Sequence, residues 1–232
     1  FYGYVTDGVY ESLEDIETSA KPAKYPADGK FNRYNTVWVG DIKYKDLNGD
    51  GVIDENDRTN IGSPMPKYTF GWNNTFRYKN FDLNVQINYT LGGKVYDGIY
   101  ANMMSEGNTM GSNLHKDELK AWTTSGQQTN VPRYVVNNSN GSNSLSTRFL
   151  YNATNVRLAN VTLSYRLPSN LGIFSKVISG AKIYVSGDNL LTWFSSDWKG
   201  YDDIDIYGVQ GYNAYPSIPT PRSFTVGANI TF

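Results

Sequence analysis

Residues 68 to 91 alternate between apolar and polar side chains in two successive runs. Tyr68, Phe70, Trp72, Phe76 and Tyr78 share one parity, while Thr69, Gly71, Asn73, Thr75 and Arg77 hold the other. Past Lys79 and Asn80, Phe81, Leu83, Val85, Ile87, Tyr89 and Leu91 alternate with Asp82, Asn84, Gln86, Asn88 and Thr90. Neighbouring side chains on a strand point to opposite faces, so each run is a strand with one apolar and one polar side. The pattern returns in Ala159, Val161, Leu163, Tyr165 and Leu167 against Asn160, Thr162, Ser164 and Arg166. It returns again in Ile183 and Val185 against Lys182, Tyr184 and Ser186. At the end of the chain, Phe224, Val226, Ala228, Ile230 and Phe232 alternate with Ser223, Thr225, Gly227, Asn229 and Thr231.

A soluble sandwich alternates in the same way, so the choice rests on length, ends and connections. About 11 residues at roughly 3.3 Å each, tilted near 40°, span about 28 Å, close to the thickness of a hydrocarbon core. Aromatic rings stand at the ends of the runs, at Tyr68, Tyr78, Phe81, Tyr89, Tyr165 and Phe232, where a membrane interface favours them. The links alternate as well. Lys79-Asn80 and the stretch with Pro168, Asn170 and Gly180 are short; 92–152 and 194–221 are long and rich in Asn, Ser, Gly and Tyr. Bacterial outer-membrane barrels alternate short periplasmic turns with long outer loops in this manner. The predicted fold is all-β, an antiparallel transmembrane β-barrel segment. Residues 1–66 form an extracellular region, and residues 67–232 carry the last strands, with outer loops 92–152 and 194–221. The final strand then runs inward and brings Phe232 to the periplasmic end.

Composition narrows the function. Lys and Arg number 21 against 22 Asp and Glu, a balance that gives no basic face for nucleic acid. Zero Cys removes disulfides, Cys-ligated metals and Cys nucleophiles together. A single His, His115, makes a Ser-His-Asp triad a poor expectation, and it reads as an ordinary loop residue. No apolar run is long enough for a transmembrane helix, which leaves strands as the way across a membrane. Three segments fall outside the strand pattern. Ser12–Ala20 reads as a helix capped by Ser12 with Glu14 and Asp15 in its first turn. His115–Trp122 suits a short loop helix, and 137–147 a flexible tip.

Asp46-Leu47-Asn48-Gly49-Asp50-Gly51-Val52-Ile53-Asp54-Glu55-Asn56-Asp57 has the EF-hand spacing of oxygen donors. Asp46, Asn48, Asp50, Asp54 and Asp57 would ligate through side chains and Val52 through its carbonyl, with Gly51 at the sharp turn. The predicted occupant is a structural Ca2+ that stiffens an outer loop. Asp57 departs from the pattern, since an EF-hand has a bidentate Glu there; the shorter side chain resembles dockerin-type loops. Flanking helices are missing: Ile42-Lys43-Tyr44 reads extended, and Pro64 and Pro66 follow.

Gly40-Asp41-Ile42-Lys43-Tyr44-Lys45-Asp46-Leu47-Asn48-Gly49-Asp50-Gly51 and then Ile61-Gly62-Ser63-Pro64-Met65-Pro66-Lys67-Tyr68-Thr69-Phe70-Gly71 resemble the late part of SusC/RagA-family outer-membrane transporters. So do Asn155 through Tyr165 with Leu167-Pro168, the stretch Tyr184-Val185-Ser186-Gly187-Asp188-Asn189-Leu190-Leu191-Thr192, and the ending from Pro221 to Phe232. The order and spacing of these stretches carry the resemblance from about residue 36 onward. It implies TonB-dependent uptake in the bacterial outer membrane of Bacteroidetes-type cells, through a plugged barrel. A SusD-like lipoprotein would sit over the outer mouth, the pair would take oligosaccharides or peptides, and the TonB complex would act through the N-terminal part. Five strands do not close a barrel of the 22-stranded kind, so the chain reads as the C-terminal piece of a transporter about four times longer. Outer-membrane lipid would then be a partner, and nucleic acid would not.

Two further sets of residues carry expectations. In outer-membrane barrels a terminal aromatic on an alternating strand resembles the barrel-assembly signal, which assigns that role to Phe232. Trp193, Phe194, Trp198, Tyr201, Tyr207, Tyr212 and Tyr215 lie beside Asp197, Asp202, Asp203 and Asp205. Of these, Trp193, Trp198, Tyr201, Asp202, Asp203, Tyr207 and Tyr212 are the candidate contacts to substrate or to a lid protein, because ring faces beside carboxylates suit sugar stacking. The same acids form a weak candidate for a glycosidase pair, since nothing fixes their separation; the expectation is that the chain is not an enzyme. A soluble, calcium-stabilised, carbohydrate-binding β-sandwich remains the alternative to the barrel.

Overall fold

The computed structural model describes residues 1–22, 37–105, 113–135, 141–168, 179–198, 200, 212–213 and 220–231. The chain divides into two compact units that do not follow its order: residues 1–64, 94–151 and 206–216 in one, and 65–93, 152–205 and 217–232 in the other.

The second unit is built on one antiparallel sheet of five long strands. These are β1 (Tyr68–Tyr78), β2 (Phe81–Leu91), β3 (Asn155–Arg166), β4 (Gly180–Phe194) and β5 (Ser223–Thr231). Their spatial order is β5-β4-β3-β2-β1, with antiparallel pairing at every step. The strands expected from the sequence at 68–78, 81–91, 156–167, 181–193 and 223–232 match these bounds to within one residue. Tyr78 pairs with Phe81 across a two-residue hairpin, and Lys79 takes the positive φ of 53° that such a turn requires. Among the described residues, no helix is long and apolar enough to cross a membrane.

The register shows what keeps each face pure. Val156 and Leu158 face Tyr89 and Ile87, whereas Val161, Leu163 and Tyr165 face Val85, Leu83 and Phe81. The parity of the apolar row therefore changes within β3. A register shift between Leu158 and Asn160 leaves Ala159 as the extra residue, and this β-bulge keeps the apolar side chains on one side. The shift also appears in the pairing with β4, where Leu158 meets Leu191 and Asn160 meets Asp188. Asn189, inside that irregularity, has φ 52°; Asn tolerates the left-handed region better than most residues. A simple reading of parity from Ala159 onward misses the bulge because Ala itself fits either face.

The first unit carries two small cores. In one, Tyr96, Tyr100, Met104, Phe149 and Leu150 are buried, with Phe1, Ile61 and Val131 packed against them. In the other, Tyr10, Ile16, Val37 and Val39 gather beside Trp38 and Trp122. Ile16 comes from α1 (Leu13–Thr18), whose start is capped as predicted, with Ser12 Oγ accepting the Asp15 N–H at 3.0 Å. A second helix, α2 (Gly98–Met103), is capped by Asp97. Short strand pairs hold the rest: Tyr2–Gly3 with Thr59–Asn60, Thr6–Val9 with Ile42–Tyr44, and Lys21–Pro22 with Val52–Ile53. Lys94–Asp97 is flanked by Leu150–Asn152 and by Tyr212–Asn213.

Asp41 ties this unit together from a fully buried position. Its carboxylate accepts a two-pronged bond from Arg133 at 2.6 and 2.9 Å and the Trp38 N–H at 2.6 Å. Gly40 beside it has φ 90°, and a Cβ there would lie 2.4 Å from the Trp122 ring, so only glycine fits. The expected helix at His115–Trp122 is a 3-10 turn over Lys116–Lys120 capped by His115. Part of the expected tip at 137–147 lies outside the described residues. The remainder is packed, with Ser142 and Ser146 buried.

Candidate functional site

The apolar row of the five-stranded sheet is bare. Tyr68, Phe70, Trp72, Phe76 and Tyr78 on β1, Ile183, Val185, Leu191 and Trp193 on β4, and Phe224, Val226 and Ile230 on β5 are all exposed, up to 80% for Val226. A sandwich would cover these side chains with a second layer. Leaving so many contiguous apolar side chains in water is unfavourable by about 25 cal/mol per Å2, so such a face belongs against a partner or lipid. Asn74 falls on the same row, opposite Val85, and is its one polar residue on β1.

The opposite face is polar and internally bonded. Asn84 Nδ2 donates to Asn73 Oδ1 and to Thr75 Oγ1, both at 3.0 Å. Asn160 Nδ2 donates to Ser186 Oγ at 2.9 Å and to Asp188 Oδ1 at 2.6 Å, and Thr162 bonds Asn160 Oδ1 at 2.9 Å. Tyr184 lies over Gly227, where a Cβ would sit 2.4 Å from its ring. A strand glycine marks such a close approach. Near the hairpin end, Arg166 grips Asp82 through contacts of 2.7 to 3.1 Å, with Arg77 at 3.5 Å from the same carboxylate. Sequence reasoning missed this clamp, since Asp82 and Arg166 lie far apart along the chain; the shared polar parity was the available signal.

The acidic loop is closed by backbone donors. Asp46 accepts the Gly49 and Gly51 N–H groups at 2.6 and 2.8 Å, Asn48 Oδ1 that of Asp50 at 2.9 Å, and Asp50 Oδ1 that of Val52 at 2.8 Å. Asp54 Oδ1 accepts the Asn56 N–H at 2.7 Å. Asp57 is fully buried and spans the loop, accepting from Leu47 at 2.8 Å and from Asp54 at 2.9 Å. Asp54 and Asp57 thereby form a capping box around the 3-10 turn Glu55–Asp57. Among the described residues, no group of three or more His, Asp or Glu side chains is gathered to hold a metal ion. The Gly51 N–H, with that of Gly49, holds the Asp46 carboxyl below its ordinary value.

The aromatic candidates divide between strand and loop. Trp193 lies on β4 opposite Val156, in the exposed apolar row. Trp198 instead stands 6.3 Å from the Phe194 ring, and Asp197 Oδ2 accepts the Asn152 N–H at 3.1 Å. Tyr212 belongs to the short strand beside Lys94–Asp97. Tyr201, Asp202, Asp203, Tyr207 and the terminal Phe232 lie outside the described residues. His115 Nδ1 accepts the Asp117 N–H at 3.1 Å, the work of a cap.

No protein-family model matches the chain. The TonB-dependent receptor P3 of Formosa agariphila is 32% identical over 100% of the chain and 22% of its own length. The TonB-dependent receptor P26 of the same organism is 33% identical over 84% of the chain and 20% of its own length. The TonB-dependent receptor SusC of Bacteroides thetaiotaomicron is 25% identical over 82% of the chain and 17% of its own length. Among solved structures, the RagAB peptide transporter matches all of the chain with a TM-score of 0.68 at 24% identity, over 23% of that chain. The chain therefore spans about a fifth of the length of the curated relatives it matches.

Proposed function

The chain belongs to the SusC/RagA family of TonB-dependent receptors as a C-terminal portion, and from that premise we propose that it supplies barrel wall and outer loops to an outer-membrane nutrient importer. The observation that carries this reading is the bare apolar row over a bonded polar face. In a barrel the first row meets acyl chains and the second lines the lumen. Backbone groups within the sheet are paired strand to strand, as a hydrocarbon environment demands.

The importer's cargo would be oligosaccharides or peptides, captured with a SusD-like surface lipoprotein and moved at the expense of the TonB complex. Relatedness to SusC and the fold shared with the RagAB peptide transporter support this. Trp198, Tyr201, Asp202, Asp203, Tyr207 and Tyr212 would offer loop contacts to cargo or lid, and Phe232 the assembly signal. No catalytic role is part of the reading. The sandwich alternative is disfavoured by the exposure of Val226 and its neighbours.

The test is assembly. The receptor that contains this chain should fractionate with the outer membrane, require detergent for extraction and shift in gel mobility on heating. Recovery as a water-soluble monomer would overturn the proposal.

Calcium at Asp46, Asn48, Asp50, Val52, Asp54 and Asp57 remains part of the proposal, supported by the oxygen spacing. Binding would turn the free lone pairs of these side chains toward one ion while the backbone donors keep the loop's shape. Calorimetric titration of the receptor with millimolar calcium should give heat that Asp50→Asn diminishes. No heat and an unchanged melting curve would remove the ion from the account.

A further inference from the structure

We propose that Asp197 is a positioning residue for cargo capture: it clamps the outer end of β4 so that the Trp198 indole is held on the lumen side of the barrel rim. The proposal rests on the barrel reading above and gives one of its loop contacts a fixed place. Where β4 ends, the register decides which side each residue takes. Trp193 pairs with Val156 in the apolar row, whereas Phe194 pairs with Asn155, which in turn pairs with Thr90. Phe194 therefore shares the polar side with Arg157 and Thr192, the next pair along it. The Trp198 ring lies 6.3 Å from that of Phe194, with 39° between the two planes. Trp198 is thus drawn toward the polar side, whereas an aromatic belt would turn a rim tryptophan toward lipid.

Asp197 holds this arrangement from the end of a hydrogen-bond chain that crosses three strand ends. Thr154 Oγ1 accepts the Gly92 N–H at 2.9 Å, just past β2, and donates to Asn152 Oδ1 at 2.8 Å, just before β3. The Asn152 N–H donates to Asp197 Oδ2 at 3.1 Å, and Asp197 Oδ1 accepts the Ser195 hydroxyl. Backbone bonds run beside this chain, from the Ser195 N–H to the Thr154 carbonyl at 3.0 Å and from the Trp198 N–H to the Ser195 carbonyl at 3.1 Å. Both carboxylate oxygens are thus engaged in folding the chain back after β4. Gly200 completes the seat. A Cβ there would collide with the Trp198 indole, so the backbone of residue 200 lies directly against the ring. The indole is packed by Phe194 and by that backbone and stays half-buried.

The role follows from how a ring recognises cargo. An indole that swings on a loop loses rotamer freedom when it stacks, and that loss weakens binding. An indole already fixed against Phe194 and Gly200 presents its remaining face without that loss. Asp197 acts here through shape and not through charge. Its oxygens accept hydrogen bonds from an N–H and a hydroxyl. An asparagine can keep both contacts, because its carbonyl accepts the N–H and its amide donates to a hydroxyl oxygen that also accepts. This separates Asp197 from a carboxylate that pairs with cargo.

The experiment uses the full-length receptor in the outer membrane. The probe is a yeast autolysate, which holds oligosaccharides and peptides together, and mass spectrometry follows what receptor-bearing cells deplete from it. Hydroxyl-radical oxidation of Trp198, read by peptide mass, reports the packing of the indole. Asp197→Ala should speed that oxidation. It should also raise the half-saturating autolysate concentration about fivefold, the size of one aromatic contact, with the maximal rate unchanged. Gly200→Ala leaves the carboxylate in place and should do the same by displacing the ring. Asp197→Asn should match wild type in both readouts. In a Trp198→Ala background, Asp197→Ala should add nothing to the half-saturating concentration. Should Asp197→Ala reach the membrane poorly, Gly200→Ala and Asp197→Asn carry the test. Asp197→Asn behaving as Asp197→Ala overturns the proposal in favour of a carboxylate that meets cargo by its charge. Oxidation unchanged in both Asp197→Ala and Gly200→Ala overturns the clamp. A wild-type receptor that depletes nothing defeats the importer reading itself, while the oxidation of Trp198 still decides the clamp.

Discussion

Asp57 shows how one side chain can define a loop. Its buried carboxylate joins the second and ninth residues of the acidic segment through the Leu47 and Asp54 N–H groups. Asp57→Ala leaves both donors without their acceptor in a buried setting, at a cost of about 2 kcal/mol or more. Local opening should follow, read as faster hydrogen exchange at residues 46–57 in the receptor; unchanged exchange would show that the turn holds without it. Asp46 adds a pH dependence of known sign. Its carboxyl is held below its ordinary 3.8 by the Gly51 and Gly49 N–H donors, so the folded loop prefers the charged form. That preference is present above pH 3.8 and is lost as pH falls through the lower folded value. Limited proteolysis should therefore open the loop only on acidification below that range, and Asp46→Asn should be sensitive already at neutral pH. The oxygen spacing was legible in the sequence. The employment of those oxygens by backbone donors was not, because the same Asx residues serve a turn and a cation equally well.

Strands are the scale at which the sequence was most legible, and the bulge shows where legibility stops. Period-two patterning locates β1 and β2 by their ends, since Tyr68, Tyr78, Phe81 and Leu91 are both pattern limits and strand limits. In β3 the apolar parity runs through Val156 and Leu158 and then through Val161, Leu163 and Tyr165. Only the pairing identifies Ala159 as the residue that absorbs the change. Deleting Ala159 makes Leu158 the direct neighbour of Asn160, the spacing of a regular strand, so the bulge is lost and the faces of residues 155–158 are kept. Inserting a second Ala after Ala159 instead adds a residue that one bulge does not absorb, and a one-residue slip moves every side chain of that end to the wrong side. The insertion should lower the level of heat-modifiable receptor in the outer membrane, whereas the deletion should leave it closer to wild type. Equal levels in the two variants would mean that the register is set elsewhere. The Asp41–Arg133 bond makes the complementary case in the other unit. Residues 92 positions apart form a buried pair that no local pattern announces. Asp41→Asn should destabilise that unit by about 3–5 kcal/mol, because it leaves Arg133 charged and largely buried. Thermal melting monitored by Trp38 and Trp122 fluorescence checks this.

For the whole molecule, the question is what touches the apolar row, and two adjacent residues on β5 answer it. Val226 is 80% exposed and shares a row with Val185, while Thr225 faces Ser186 on the polar side. Both belong to one strand, have similar size and lie next to each other, so local propensity and folding effects are nearly matched. In water, an arginine at either position is harmless, since both would be solvated. In a membrane the two differ. An arginine on the lipid side near mid-depth is unfavourable by roughly 2–4 kcal/mol, whereas one toward a wet lumen is tolerated. Val226→Arg should therefore reduce heat-modifiable receptor in the outer membrane several-fold, and Thr225→Arg should change it little. Equal tolerance of both variants would show that Val226 faces water or protein. Loss with Thr225→Arg alone would place the lipid on the other side of the sheet. This comparison bears on fold and on the proposed function together, because in the proposed importer the face against lipid and the face toward cargo would be two sides of the same strands.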